Sequence, residues 1–116
     1  MKYLMLIYAN EAATSTLAPD EMNSMIAGYG AFTAEAQEKK VYAGGNPLQP
    51  SSTATTVRVR EGKTLITDGP FAETKEQLGG YYLLECRDLD EALEYAAKIP
   101  GAAYGSVEVR PIIVFH

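Results

Sequence analysis

Residues Lys2 to Ala9 are apolar on both alternating sets, with Tyr3, Met5 and Ile7 on one side and Leu4, Leu6 and Tyr8 on the other. That pattern predicts a strand covered on both faces. Asn10 to Ala18 reads as a polar loop. Pro19, Asp20 and Glu21 then open a helix, with proline in its first turn and acids at the positive end of the dipole. Met22, Met25, Ile26, Tyr29, Phe32 and Ala36 recur at helical spacing and predict one buried stripe, ending near Lys40. Gly28 and Gly30 each cost that helix about 1 kcal/mol relative to alanine, and imply either a close packing contact or a bend. Val41 to Gln49 reads as a short extended segment broken by Gly44, Gly45 and Pro47, and Pro50 to Ser52 as a turn.

The alternation returns in Thr55 to Arg60. Glu61-Gly62 predicts a hairpin turn into the return strand Lys63 to Asp68. Gly80 to Arg87 predicts another strand, with Tyr81, Leu83 and Glu85 on one face and Tyr82, Leu84 and Cys86 on the other. Asp88 and Glu91 carry the signature of a capping box, so a second helix follows, with Leu89, Ala92, Leu93, Ala96 and Ile99 as its buried side and Pro100-Gly101 as its stop. Ser106 to Phe115 reads as a last strand interrupted by Pro111. The order β-α-(β)-β-β-β-α-β is an α+β fold, close to the ferredoxin-like βαββαβ pattern with an extra hairpin strand. Two helices cover one face of such a sheet, while two of its strands are apolar on both. A second copy packed sheet to sheet would cover the other, so a homodimer is expected.

Composition narrows the classes. A chain of 116 residues, 47% hydrophobic, fits a single domain over residues 1–116. A net charge of -5 repels phosphate backbones and predicts no nucleic-acid partner, and no basic helix predicts a membrane surface. Cys86 is the one cysteine and His116 the one histidine, which predicts no metal site, no triad and no disulfide within the chain. The apolar run from Leu4 to Ala9 is too short for a signal sequence or a membrane span, so a cytoplasmic protein is expected. Neither Gly44-Gly45 nor Gly79-Gly80 has the context of a phosphate loop, and no cofactor is expected.

The densest chemistry lies in Thr67 to Gly80. Asp68-Gly69-Pro70 forces a change of direction, and Glu73, Lys75, Glu76 and Gln77 crowd the stretch that follows. With Tyr3 to Tyr8, Gly44-Gly45, Leu48-Gln49-Pro50, Ala54 to Arg58, Gly79 to Tyr82 and Val107 to Pro111, the block from Asp68 to Glu76 resembles the DGPF-type branch of the YCII-related family over nearly the whole chain. The resemblance implies a dimeric α+β barrel, in which ferredoxin-like protomers pair through their sheets. It also implies small cytoplasmic bacterial proteins without a settled activity. In the wider family a His–Asp pair marks the expected active site. Asp68 matches the aspartate, no internal histidine completes the pair, and Asn46 stands where relatives often carry glutamate. Some relatives are linked to sigma factors, which implies a regulatory alternative.

Each candidate has two readings. Asp68 serves either as a general base or ligand-orienting carboxylate, or as the acceptor of an Asx-turn over Gly69-Pro70. Glu73 and Lys75 either line a polar pocket or form a solvated loop. Arg58 and Arg110 either hold an anionic group or pair with strand carboxylates. Tyr8, Tyr81 and Tyr82 supply pocket wall with a hydroxyl at the tip, and Phe71 apolar wall, or they are core and interface. Cys86 reads as a buried, inert thiol. The expected function is binding of a small organic molecule, with or without acid/base turnover, in a cleft between the Asp68 loop and the sheet. The rival is a non-catalytic interaction or regulatory module.

Overall fold

The computed structural model describes residues 1–115. His116 lies outside the described residues, and with it the expectation attached to that side chain. Strands β1 (Lys2–Ala9), β2 (Tyr42–Pro47), β5 (Gln77–Glu85) and β6 (Ser106–Pro111) form one antiparallel sheet in the order β2-β5-β1-β6. Helices α2 (Pro19–Glu38) and α3 (Leu89–Lys98) supply the crossovers, which is the ferredoxin-like arrangement. Strands β3 (Thr55–Arg60) and β4 (Lys63–Asp68) pair only with each other and form a separate two-stranded ribbon between β2 and β5. Its turn places Glu61 and Gly62 both at positive φ, 53° and 75°, the geometry a two-residue hairpin requires.

The core lies on one face of the sheet. Tyr3, Met5 and Ile7 of β1 and Tyr82 and Leu84 of β5 meet Phe32 and Ala36 of α2 and Ala92, Tyr95, Ala96 and Ile99 around α3. Phe32 packs against Tyr82 with ring centres 4.9 Å apart, and edge-on against Tyr95 at 6.4 Å. Cys86 is buried among them. The opposite face carries Leu4 and Leu6 beside Leu83 and Tyr81, with Tyr8 at one end and the ion pair of Arg110 with Glu108 along the β6 side. No helix lies over that face, and its apolar side chains remain half-exposed.

Several expectations are corrected. Asn10 to Ala18 is not simply a loop: it contains α1 (Glu11–Thr14), because Asn10 caps it, its Oδ1 accepting from the Ala13 N–H at 3.0 Å. The stripe of α2 is buried only in its second half, at Phe32 and Ala36. Met22, Met25 and Tyr29 are half-buried and Ile26 is 61% exposed; Met25 and Tyr29 border a cavity instead of the sheet. In α3, Tyr95 replaces Leu89 and Leu93 in the core; the buried set 92, 95, 96, 99 is one helical face, and the two leucines sit on its flank. Glu91 accepts from the Arg87 N–H at 3.0 Å, one residue upstream of a strict capping box. Strand β5 begins at Gln77, not Gly80, because Leu78 and Gln77 pair with Tyr8 and Ala9 beyond a bulge at Gly79 in β5. A short helix, α4 (Gly101–Tyr104), follows Pro100, and β6 ends at Pro111.

Helix α2 closes in a Schellman motif. The Val41 N–H reaches the Ala36 carbonyl at 2.9 Å and the Lys40 N–H the Gln37 carbonyl at 3.1 Å. Lys40 occupies the left-handed position at φ 61° that such motifs usually give to glycine. The radius of gyration is 16.1 Å, against about 13 Å for a compact chain of this length. The β3–β4 ribbon and the segment Ile112 to Phe115 account for the excess: Val57, Val59 and Ile66 are 60–68% exposed, and Phe115 is 89% exposed.

Candidate functional site

The middle of α2 (Met25 to Thr33), α1 with Leu17, α4 and the adjoining ends of β1, β5 and β2 border a cavity of about 510 Å³. Its size is that of a pocket for a small organic ligand. Ile7, Leu17 and Met25 give it aliphatic wall, and Tyr29, Tyr42, Tyr82 and Tyr104 give it rings. Tyr42 and Tyr82 meet edge to face with centres 6.3 Å apart. Thr33 Oγ1 donates to the Tyr29 carbonyl at 2.9 Å and lies 2.9 Å from Tyr82 Oη. With the single hydroxyl hydrogen of Thr33 committed to that carbonyl, Tyr82 donates to Thr33 and keeps its lone pairs for the cavity. Burial pushes the Tyr29 phenol above its ordinary value of 10.0, with the Gly101 backbone pulling it back in part and Tyr82 adding slightly to the rise. Tyr29 is therefore a neutral hydrogen-bond donor at physiological pH.

Glycine shapes this space in two different ways. A Cβ on Gly28 would approach Pro100 Cγ to 3.1 Å, so Gly28 lets α2 pack against the start of α4. A Cβ on Gly30 would meet nothing within 4 Å, although Gly30 borders the cavity. The first glycine is explained by packing; no packing contact explains the second, which is solvent-exposed.

The wall made by α1 is held from outside. Glu11 accepts from Ser51 twice, from its N–H at 2.8 Å and its hydroxyl at 2.9 Å. The Glu11 N–H donates to Gln77 Oε1 at 2.9 Å, while Gln77 Nε2 donates to the Thr74 carbonyl. The far end of the charged stretch thus anchors the cavity's rim.

The residues singled out in the sequence lie elsewhere in the protomer. Asp68 ends β4 opposite Thr55, and Arg58 lies opposite Leu65. Alternation along the ribbon puts Asp68 and Arg58 on opposite faces. The Asp68 carboxylate is exposed and has no partner among the described residues, so it makes no Asx-turn. The turn is held instead by Gly69 at φ 97°, by its N–H to the Ala54 carbonyl at 2.7 Å, and by the Thr56 hydroxyl to the Gly69 carbonyl at 2.8 Å. Arg58 and Phe71 are brought together, Arg58 Nη2 donating to the Phe71 carbonyl at 3.2 Å, with the Phe71 ring 75% exposed. Glu73 and Lys75 are exposed. Tyr8 and Arg110 share the open face of the main sheet, Tyr8 opposite Ser106 and Arg110 opposite Leu4. None of these side chains lines the cavity; of the tyrosines read as pocket wall, Tyr82 and Tyr81 border it and Tyr8 does not.

The sequence reading missed the cavity. Its signals were a glycine inside a helix without a packing reason, and the Asn10-Glu11 cap inside a stretch read as loop. Among the described residues no three His, Cys, Asp or Glu side chains converge, and no helix is long and apolar enough to cross a membrane.

The whole chain, residues 1–116, matches the YCII-related domain, and the protein belongs to that family. It is similar to an uncharacterized protein of Rhizobium meliloti (strain 1021), 41% identical over 121 residues, which cover 99% of this chain and 94% of the relative.

Proposed function

We propose that the protein binds a small organic molecule in the cavity between α2 and the sheet, and that it does so as a homodimer paired through the open sheet face. The observation that carries the first half is the cavity itself: about 510 Å³, mainly apolar, ringed by tyrosines and closed on one side by a short helix that Glu11 and Gln77 hold in place. The second half is supported by the uncovered Leu4, Leu6 and Leu83, flanked by a Glu108–Arg110 pair whose two signs complement themselves about a two-fold axis. The exposed apolar side chains of β3–β4 and of Ile112 to Phe115 are further surface that a second copy would cover. The block Asp68 to Glu76 supports placement in the DGPF-type branch. Asp68 remains the candidate acid/base group, in a cytoplasmic protein.

A thermal-shift screen of small metabolites tests the binding. Compounds that raise the Tm of the native protein should fail to raise that of Ala13→Trp, which fills the cavity from its α1 wall. Compounds that stabilise both equally, or a screen without hits, defeat the reading.

A further inference from the structure

The cavity border contains no Asp, Glu, Lys, Arg or His. In a chain that is 22% charged, that is a selective omission. A carboxylate or phosphate entering such a space would lose water and gain no counter-ion, inside a protein whose net charge of -5 already repels it. A primary ammonium would find no carboxylate to pair with, leaving only the ring faces to offset its lost hydration. What the cavity offers is ring faces and edges from Tyr29, Tyr42 and Tyr82, the donor of Tyr29 and the free lone pairs of Tyr82.

Gly30 gives a second, independent indication. Glycine inside a helix lowers its stability, and here no neighbouring atom demands it, since a Cβ would meet nothing within 4 Å. Gly30 borders the cavity and is solvent-exposed, so the room a side chain there would take lies at the open side of the cavity. The helix is weakened at the one place where a flat ligand gains by approaching the backbone closely.

We infer that the ligand is an uncharged, flat aromatic molecule with a hydroxyl or carbonyl group, lying between the backbone of α2 at Gly30 and the Tyr42–Tyr82 wall. This rests on the reading of the cavity as the ligand site. The proton stays on Tyr29, and the ligand's polar group exchanges hydrogen bonds with Tyr29 and Tyr82.

Two probes of equal size and shape test this, 2-naphthol, neutral at pH 7, and 2-naphthoate, its anionic counterpart. Titrations are followed by amide chemical shifts in the intact protein. The expected result is saturable shifts at Gly30, Gly79 and Gly80 with 2-naphthol, and binding of 2-naphthoate at least tenfold weaker. Equal or tighter binding of 2-naphthoate at those amides overturns the ligand class and leaves the cavity reading standing. Shifts by neither probe, or shifts elsewhere only, overturn both. Gly30→Leu should weaken 2-naphthol binding at least tenfold. Gly30→Ala, the control for folding, should raise Tm by roughly 3–6 °C. Undiminished binding in Gly30→Leu, or a lowered Tm in Gly30→Ala, refutes the assigned role of Gly30.

Discussion

Glu11 receives two hydrogen bonds from Ser51, through the backbone N–H at 2.8 Å and the hydroxyl at 2.9 Å, across 40 residues of sequence. A helix of four residues is too short to persist by itself. This bidentate contact, with the Asn10 cap and the Gln77 bond to the Glu11 N–H, keeps α1 in place as a wall of the cavity. Removing the carboxylate in Glu11→Ala should cost about 1–3 kcal/mol, the range for hydrogen bonds to a charged group. Urea unfolding measures the loss. Faster amide exchange at Ala13 and Thr14 than elsewhere in the variant would locate it.

Lys40 holds the left-handed position of the α2 Schellman motif at φ 61°. A side chain there costs about 1–2 kcal/mol that glycine does not incur, offset in part by the greater freedom of glycine in the unfolded chain. Lys40→Gly should therefore raise stability by about 0.5–1 kcal/mol. A lower urea midpoint than that of the native protein would contradict the assignment.

Three acids are held above their ordinary values in the folded protein. Burial raises Tyr29, burial and then Glu91 raise Tyr95, each above 10.0, and burial and then Glu91 raise the Cys86 thiol above 9.0. A folded-state value above the unfolded one means the folded protein binds the proton more tightly. The contribution of these groups is fully present below their unfolded values and is lost as pH rises through the folded ones. Stability from these three groups should be flat up to about pH 9 and decline above it. Urea midpoints across an alkaline series check the sign. At pH 7 the buried Cys86 should react with a disulfide reagent only as fast as the protein opens.

The Asp68 carboxylate lacks a partner among the described residues, so its removal should leave the fold alone. Asp68→Asn is expected to change stability by less than about 0.5 kcal/mol. If the variant keeps its stability and loses turnover of a bound compound, the carboxylate acts in chemistry. A loss of 2 kcal/mol or more would place it in the structure, through a contact that forms only in the assembled protein.

Leu6 and Leu83 lie on the uncovered sheet face, on adjacent strands β1 and β5. Leu6→Lys together with Leu83→Lys should convert a sedimenting dimer into a folded monomer with unchanged far-ultraviolet circular dichroism. An unaltered sedimentation coefficient would place the interface elsewhere.

The sheet was legible because its evidence is local and periodic. The Tyr3, Met5, Ile7 set and the Tyr82, Leu84 set announce strands, and Glu61-Gly62 announces its hairpin. The cavity was not legible, because it is defined by what does not touch. Met25 and Tyr29 have the same spacing whether they meet a sheet or a void, and only the packed structure separates the two. The charged stretch misled in a related way. Asp68 to Lys75 concentrates turn and ionic residues and so drew attention, while its effect on the cavity comes from its far end, where Gln77 holds α1. Hydrogen bonds between residues 40 and 66 positions apart leave no periodic trace.

Four of the eight tyrosines, Tyr29, Tyr42, Tyr82 and Tyr104, give rings to the cavity, and the chain contains no tryptophan. Half of the protein's tyrosine rings therefore lie beside the ligand site, without a stronger indole signal to mask their emission. An aromatic guest seated among those rings would accept their excitation energy and dim them directly. Occupancy can thus be read from the unlabelled protein, and a change in that emission would report the guest before its chemistry is known.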